Sequence, residues 1–147
     1  VKHDLLLLIV GKKTDYQREV EKEINKLKLD QNVRIYNNIP FTELPYLYKG
    51  AVASVYPSSF EGFGIPVLES LSVGTSVVTG NQSAMKEAGG KHALYADPKN
   101  HEELASQMVK LADDNEFNEQ LIKGVDSHLA QFSSGKIAGD LMGIYQK

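Results

Sequence analysis

The chain has 147 residues, a formal net charge of −3 and an isoelectric point near 5.8. That is enough for one domain with a real core, and too acidic for a general attraction to nucleic acid. The absence of cysteine excludes a disulfide framework and thiolate metal sites and suits a cytoplasmic protein, while no apolar run approaches the roughly 20 residues of a membrane helix or carries a signal-peptide cleavage pattern.

Taken in order, strand and helix signals alternate. Residues 5–10 form an unbroken apolar run ended by Gly11, as expected for a strand covered on both faces in a parallel sheet. Thr14, with Gln17 three positions on, predicts a capped helix whose apolar face is Tyr16, Val20, Ile24 and Leu27. In residues 33–39, Val33 and Ile35 alternate with Arg34 and Tyr36, a strand nearer the sheet edge. Thr42 opens a short helix with Leu44, Leu47 and Tyr48 on its apolar side. Residues 51–56 are a third strand, ended by the turn chemistry of Pro57, Ser58 and Ser59. Pro66 suits the first position of the next helix, and Gly74 closes it. Residues 76–79 then read as a buried strand, 83–88 as a short helix and 93–96 as a last strand stopped by Asp97 and Pro98. Asn100 and Glu103 make a capping box for a helix carrying Leu104, Met108 and Leu111, and two further helical segments cover 116–132 and 134–145. The alternation predicts an α/β fold: a Rossmann-like doubly wound parallel sheet of about five strands, with helices on both faces and C-terminal helices. Such sheets bind ligands beyond the C-terminal ends of their strands, where Gly11, Asn38, Ser58 and Asn81 fall.

Functional residue types gather in residues 57–69, Pro-Ser-Ser-Phe-Glu-Gly-Phe-Gly-Ile-Pro-Val-Leu-Glu. A glycine loop here feeds a helix N-terminus, which offers free N–H donors and partial positive charge to an anion such as phosphate. Glu61 precedes the loop, and Glu69 is expected in the first helical turn. Ionised carboxylates only accept hydrogen bonds, so their partners are hydroxyl groups, and a pair flanking a phosphate site suits a sugar on each side. The residues alone leave open that Glu69 only complements the helix dipole and that Glu61 is solvated. Elsewhere, the four histidines lack metal spacing and read as surface residues. Lys12 and Lys13 read as a solvated turn, and Ser58 and Ser59 have no nucleophile elbow. Asp113 and Asp114 lack the spacing of a calcium loop, and Tyr46 and Tyr48 read as helix packing.

Glu61 through Glu69 resembles the E-x7-E motif of the large retaining glycosyltransferase family of two-domain, glycosyltransferase-B architecture, which includes sucrose synthases, glycogen synthases and many lipopolysaccharide and capsule enzymes. Val10-Gly11, the strand at 33–39 with Glu43-Leu44, Tyr56-Pro57-Ser58, residues 74–79, Glu87 and Ala96-Asp97-Pro98 follow the same family's order, so the resemblance covers roughly the whole chain. It implies the C-terminal, donor-binding domain of a cytoplasmic enzyme, with peripheral attachment of the parent to the inner membrane face left open. Glu61 is then the catalytic residue, accepting hydrogen bonds from the donor sugar, and Glu69 accepts them from the ribose. Gly62, Phe63, Gly64 and Ile65 present N–H groups to sugar and diphosphate, and Asn38 and Ile39 lie beside the base. The implied reaction is retaining transfer from a nucleotide-diphospho-sugar to a glycan, lipid or polysaccharide precursor, with no metal ion and no cofactor.

The resemblance also implies that residues 1–147 are a single nucleotide-sugar-binding domain lacking the family's first strand and helix, with their diphosphate-holding arginine and lysine, and its N-terminal acceptor domain. An isolated piece of that kind is expected to be inactive and to bind donor weakly. Without the central strand, the strands at 5–10 and 51–56 are expected to close up and pair, because exposed apolar edges carry unmatched backbone groups. Two other readings fit parts of the pattern: a UDP-sugar 2-epimerase-like domain, and a non-enzymatic α/β nucleotide-binding module.

Overall fold

In the computed structural model, which describes residues 5–146, the first apolar run becomes β1 (Leu7–Gly11). It pairs in parallel with β2 (Val33–Asn37), from Leu7 opposite Val33 to Gly11 opposite Asn37. Between them α1 (Gln17–Leu27) begins two residues later than a cap at Thr14 requires. Tyr16 holds the N-cap position, no side chain caps the helix, and the Thr14 carbonyl accepts the Gln17 N–H at 3.1 Å. The Gln17 side chain is engaged elsewhere: its Nε2 donates to Glu21 at 2.7 Å and its Oε1 accepts from Asn37 Nδ2 at 3.1 Å. A bond that ties the helix start to the end of β2 has displaced the local capping box. The buried side of α1 is also narrower than predicted, because Tyr16 is 73 % exposed and Leu27 is exposed as well, leaving Val20 and Ile24 half-buried.

Contacts gather in two units, Val1–Leu44 and Pro45–Lys147. A 3-10 turn, Phe41–Glu43, leads into α2 (Leu44–Gly50), so Thr42 lies inside the turn and does not open the helix. The second unit continues with β3 (Ser54–Tyr56), α3 (Ile65–Ser72), β4 (Val77–Gly80), α4 (Ser83–Gly89) and β5 (Ala93–Ala96). Its strands are parallel in the order β3-β4-β5, with Tyr56 opposite Thr79 and Thr79 opposite Tyr95. Every residue of β4 is buried, as an apolar run between two neighbouring strands requires. Val67 and Leu71 of α3 pack with Val77, Met85, Ala88, Ala93 and Val125 into the core.

Where one sheet was expected, with the first and third strands paired, the described residues form two sheets, β1-β2 in the first unit and β3-β4-β5 in the second. The third strand also has three residues where six were expected, since Ala51, Val52 and Ala53 lie outside it.

The C-terminal half is helical. α5 (His101–Asp113) is capped by Asn100, whose side chain accepts the Glu103 N–H at 3.1 Å. The Glu103 carboxylate reaches back to the Asp97 N–H at 2.9 Å, a wider form of the predicted box. The segment expected as one helix over 116–132 is three pieces: α6 (Asn115–Ile122), α7 (Val125–Leu129) and a 3-10 turn, Ala130–Phe132. Gly124, with φ of 77°, breaks it in the left-handed region that a glycine enters without penalty, and this lets Val125 bury itself in the core. α8 (Ser134–Tyr145) follows, with Ile137, Leu141, Met142 and Ile144 exposed. Among the described residues no helix is long and apolar enough to cross a membrane.

Leu71 is fully buried at the centre of the α3 face. Leu71→Ala should cost about 2–5 kcal/mol through lost burial and the cavity left behind. Urea unfolding would measure it, and a loss below about 1 kcal/mol would show that α3 is not clamped as described.

Candidate functional site

The loop between β3 and α3 is built from turn chemistry outward. The Ser58 hydroxyl donates to the Phe60 carbonyl at 3.0 Å and accepts the Phe60 N–H at 3.3 Å, and the Ser58 N–H returns to the Tyr56 carbonyl at 2.9 Å. Gly64 then takes φ of 88° and stands at the N-cap of α3. A Cβ there would lie 2.9 Å from both Ala88 Cβ and Met85 Cε, so glycine is required by conformation and packing alike. Gly62 differs, since a Cβ there would meet nothing within 4 Å and its φ lies outside the left-handed region. Among the described residues no atom demands glycine at that position.

Helix α3 starts at Ile65, placing Pro66 second rather than first. Glu69 is consequently the fifth helical residue, and the first turn holds no acidic side chain. This corrects the expectation that Glu69 sits in the first turn, where it would complement the dipole most strongly. The carbonyl of Gly64 accepts from Val67 at 3.0 Å and from Leu68 at 3.3 Å. The N–H groups of Gly62, Phe63, Gly64 and Ile65 make no hydrogen bond to any described residue, and α3 has no side-chain cap. Four donors therefore stand free at a helix end that carries partial positive charge.

Both motif carboxylates are half-buried, and each is held by a tyrosine. The Tyr56 hydroxyl donates to Glu61 Oε1 in a short contact, and the Tyr48 hydroxyl donates to Glu69 Oε2 at 3.3 Å. Tyr48 therefore does more than the helix packing expected of it. Its hydroxyl is pushed up to about 12 by burial first, then by the charge and hydrogen bond of Glu69. The Tyr56 hydroxyl is also pushed up to about 12, first by its hydrogen bond to Glu61, then by burial and the carboxylate charge.

Phe63 projects from the loop half-exposed and meets Phe132 edge to face, ring centroids 5.9 Å apart. Phe132 in turn packs on His128 at 5.3 Å, and His128 on His92 at 5.7 Å. These two histidines are not surface residues: His92 is buried with Nδ1 2.8 Å from the Leu121 carbonyl, and His128 Nε2 lies 2.8 Å from that of Ala88. Of the other two, His101 is exposed at the start of α5, and His3 lies outside the described residues. Among the described residues no group of three or more His, Asp or Glu is placed to hold a metal ion.

Asn38 and Ile39 belong to the first unit, just beyond β2. Asn38 is exposed with φ of 61°, a conformation asparagine tolerates better than most residues, and Ile39 is half-buried. The first unit also holds a cavity of about 400 Å³ lined by Lys13, Thr14, Asp15, Gln17, Arg18 and Glu21, none of them a predicted site residue. Three contributors to the loop escaped the sequence reading: Tyr48, Tyr56 and Gly80. A Cβ at Gly80 would fall 2.2 Å from the Ser58 carbonyl oxygen, so the loop is seated directly on the end of β4. A glycine ending a buried apolar strand was the available signal.

Parallel strands followed by helices, with a glycine loop at the C-terminal end of β3, define a Rossmann-like α/β protein. The chain belongs to the family of glycosyl transferases group 1, whose pattern it matches over residues 1–127. It is similar to O-antigen chain mannosyltransferase B of Escherichia coli, 37 % identical over 87 residues, covering 59 % of this chain and 23 % of that protein. It is likewise similar to the O-antigen chain mannosyltransferase RfbU of Salmonella typhimurium, 37 % identical over 92 residues, covering 63 % of this chain and 26 % of that one. The fold matches that of sucrose-phosphate synthase from Thermosynechococcus elongatus with a TM-score of 0.82 and 23 % identity, over 95 % of this chain and 37 % of that one. The chain thus spans about a quarter of these two curated relatives and just over a third of that structure.

The tyrosines give the site a signature at high pH. Tyr48, Tyr56 and Tyr95 are each raised from 10.0 to about 12, Tyr95 by burial. The unfolded chain releases these protons near 10 and the folded one near 12, so their contribution to stability is complete below pH 10, falls through that window and is gone above it. Thermal unfolding followed through the alkaline range should show this loss, shallower in Tyr56→Phe. Glu61→Gln should return Tyr56 toward its ordinary value by ultraviolet titration, whereas Glu69→Gln should leave Tyr48 elevated because burial is its first cause. An unmoved Tyr56 in Glu61→Gln would contradict the hydrogen bond.

Proposed function

We propose that this chain is the donor-binding part of a retaining glycosyltransferase that moves a sugar from a nucleotide-diphospho-sugar onto a growing glycan, lipid-linked or polysaccharide precursor. The observation that carries the reading is the row of four free N–H groups at the start of α3, set between two carboxylates. Donors without acceptors suit a diphosphate, and acceptor-only groups on either side suit sugar hydroxyls. Membership of the glycosyl transferases group 1 family supports it, as do two relatives named as mannosyltransferases of O-antigen chains.

In this reading the diphosphate lies over the N-terminus of α3. As the bond between sugar and phosphate breaks, negative charge grows on the leaving phosphate oxygen, where the Gly62, Phe63, Gly64 and Ile65 N–H groups and the helix dipole stabilise it. Glu61 accepts hydrogen bonds from the transferred sugar and Glu69 from the ribose. The preorganised donors supply the charge stabilisation that a cation would otherwise provide. The acceptor and further diphosphate contacts come from outside these 147 residues, so this chain alone binds donor weakly and transfers nothing. The work is done at the cytoplasmic side, where nucleotide sugars are made.

Titration of the chain with GDP-mannose and with UDP-glucose, followed by amide NMR, tests this. Shifts should centre on Gly62, Gly64 and Ile65 with a dissociation constant on the order of millimolar, near −4 kcal/mol. Shifts confined to other regions would refute the assignment. In the whole protein, Glu69→Ala should raise the donor KM about 10- to 100-fold, the equivalent of one charged hydrogen bond. Glu61→Ala should lower kcat as well, and unchanged kinetics in both variants would remove the carboxylates from the mechanism.

A further inference from the structure

Two side-chain chains of the same make-up run from β4 and the turn before it to the motif carboxylates. On one side the Thr75 hydroxyl, 5 % exposed, donates to the Tyr48 carbonyl at 2.8 Å, and the Tyr48 hydroxyl donates to Glu69 Oε2 at 3.3 Å. On the other the fully buried Thr79 hydroxyl donates to the Tyr56 carbonyl at 2.9 Å, and the Tyr56 hydroxyl donates to Glu61 Oε1. Thr75 and Thr79 are four residues apart, and Thr79 is also the strand partner of Tyr56. Further bonds fix the same ground: Ser70 Oγ accepts from Ser54 Oγ at 2.7 Å and donates to the Thr75 carbonyl at 3.0 Å.

Each carboxylate therefore spends one oxygen on a tyrosine. The other oxygens, Glu61 Oε2 and Glu69 Oε1, make no hydrogen bond to any described residue. A carboxylate free to rotate would have to be ordered by the ligand, at the expense of affinity, whereas one oriented beforehand can accept a hydroxyl at once. The two tyrosines also reach the motif from different elements, Tyr48 from α2 and Tyr56 from the end of β3. The two carboxylates are thus held from different elements, although the charge of Tyr56 also helps to raise the Tyr48 hydroxyl.

We propose that Tyr48 and Tyr56 are positioning residues of the transfer site, Tyr48 orienting Glu69 toward the nucleoside ribose and Tyr56 orienting Glu61 toward the transferred sugar. This rests on the nucleotide-sugar reading and divides its ligand into two halves, each with its own tyrosine. Hydroxyl loss at Tyr48 weakens nucleoside diphosphate and nucleotide sugar alike. The same loss at Tyr56 weakens only ligands that carry the sugar.

The experiment compares Tyr48→Phe and Tyr56→Phe in the whole protein, with GDP against GDP-mannose and UDP against UDP-glucose as probes. Tyr95→Phe is the control, since it deletes another hydroxyl of raised pKa, bonded to the Gly90 carbonyl at 2.7 Å. Tyr48→Phe should weaken GDP or UDP and the matching sugar nucleotide by the same factor, about fivefold, and raise the donor KM with kcat nearly unchanged. Tyr56→Phe should leave nucleoside diphosphate binding unchanged, weaken the sugar nucleotide about fivefold and lower kcat about tenfold. Tyr95→Phe should lower the melting temperature and leave every affinity as it was. A general loosening of the fold would move all ligands together with the melting temperature in all three variants, and that result overturns the proposal. Unaltered affinities and kinetics in both tyrosine variants, with normal binding by the unsubstituted protein, overturn it too while leaving the donor site standing. Failure of the unsubstituted protein to bind any of the four probes instead removes the nucleotide-sugar reading itself, and the tyrosine roles fall with it.

Discussion

At Gly64 the start of α3 comes so close to α4 that a Cβ would stand 2.9 Å from two side-chain atoms, and the backbone there takes a φ of 88°. That contact fixes where the helix begins. One turn further along, Val67, Ser70 and Leu71 are fully buried, so the helix cannot rotate to relieve crowding at its first residue without exposing its apolar face. Gly80 imposes a second close approach, the Ser58 carbonyl lying where its Cβ would be. The loop is thus held at both ends by glycines that let backbone pack against its neighbours, and the residues between them are left to face outward.

Much of this was legible in one dimension. Alternating apolar runs and helical faces gave the parallel α/β class, and β5 and α8 fall where their patterns put them. What failed was local chemistry overruled by distant partners. Gln17 left its capping role because Asn37, twenty residues on, offered a bond across the unit. The run from 116 to 132 kept a helical apolar period while Gly124 turned the chain, since burying Val125 was worth more than continuing the helix. The third strand came out shorter than expected because β-propensity in residues 51–56 did not say how many of them would extend, and only Ser54–Tyr56 did.

The candidate site divides along the same line. Glu61, Gly64 and Glu69 are separated by a helical spacing and a turn, features a sequence displays directly. Their partners are not. Tyr48 lies 21 positions from Glu69 and belongs to a different element, so nothing in its neighbourhood distinguishes it from an ordinary amphipathic residue at a helix rim. Tyr56 is five positions from Glu61, but the contact exists because the loop doubles back over the end of β3. His92 and His128 were invisible for another reason: each answers a backbone carbonyl of a remote segment, and carbonyls leave no mark in a sequence.

The free donors at α3 raise a question that the tyrosines answer. α5, α6 and α8 are each capped by a side chain, from Asn100, Asp114 and Ser133, and such a cap is worth about 1 kcal/mol. α3 forgoes one, although Ser58, Ser59 and Glu61 stand just upstream of it. Ser58 is committed to Phe60, and Glu61 is committed to Tyr56. A carboxylate one residue before the first of four unpaired N–H groups is a natural cap for them, and the bond to Tyr56 takes up one of its oxygens instead. With Glu61 bonded to Tyr56, the N–H groups at the start of α3 are left without a side-chain acceptor. With Ser58 and Glu61 both engaged elsewhere, a stabilising cap is absent at this helix end and its first N–H groups stay bare.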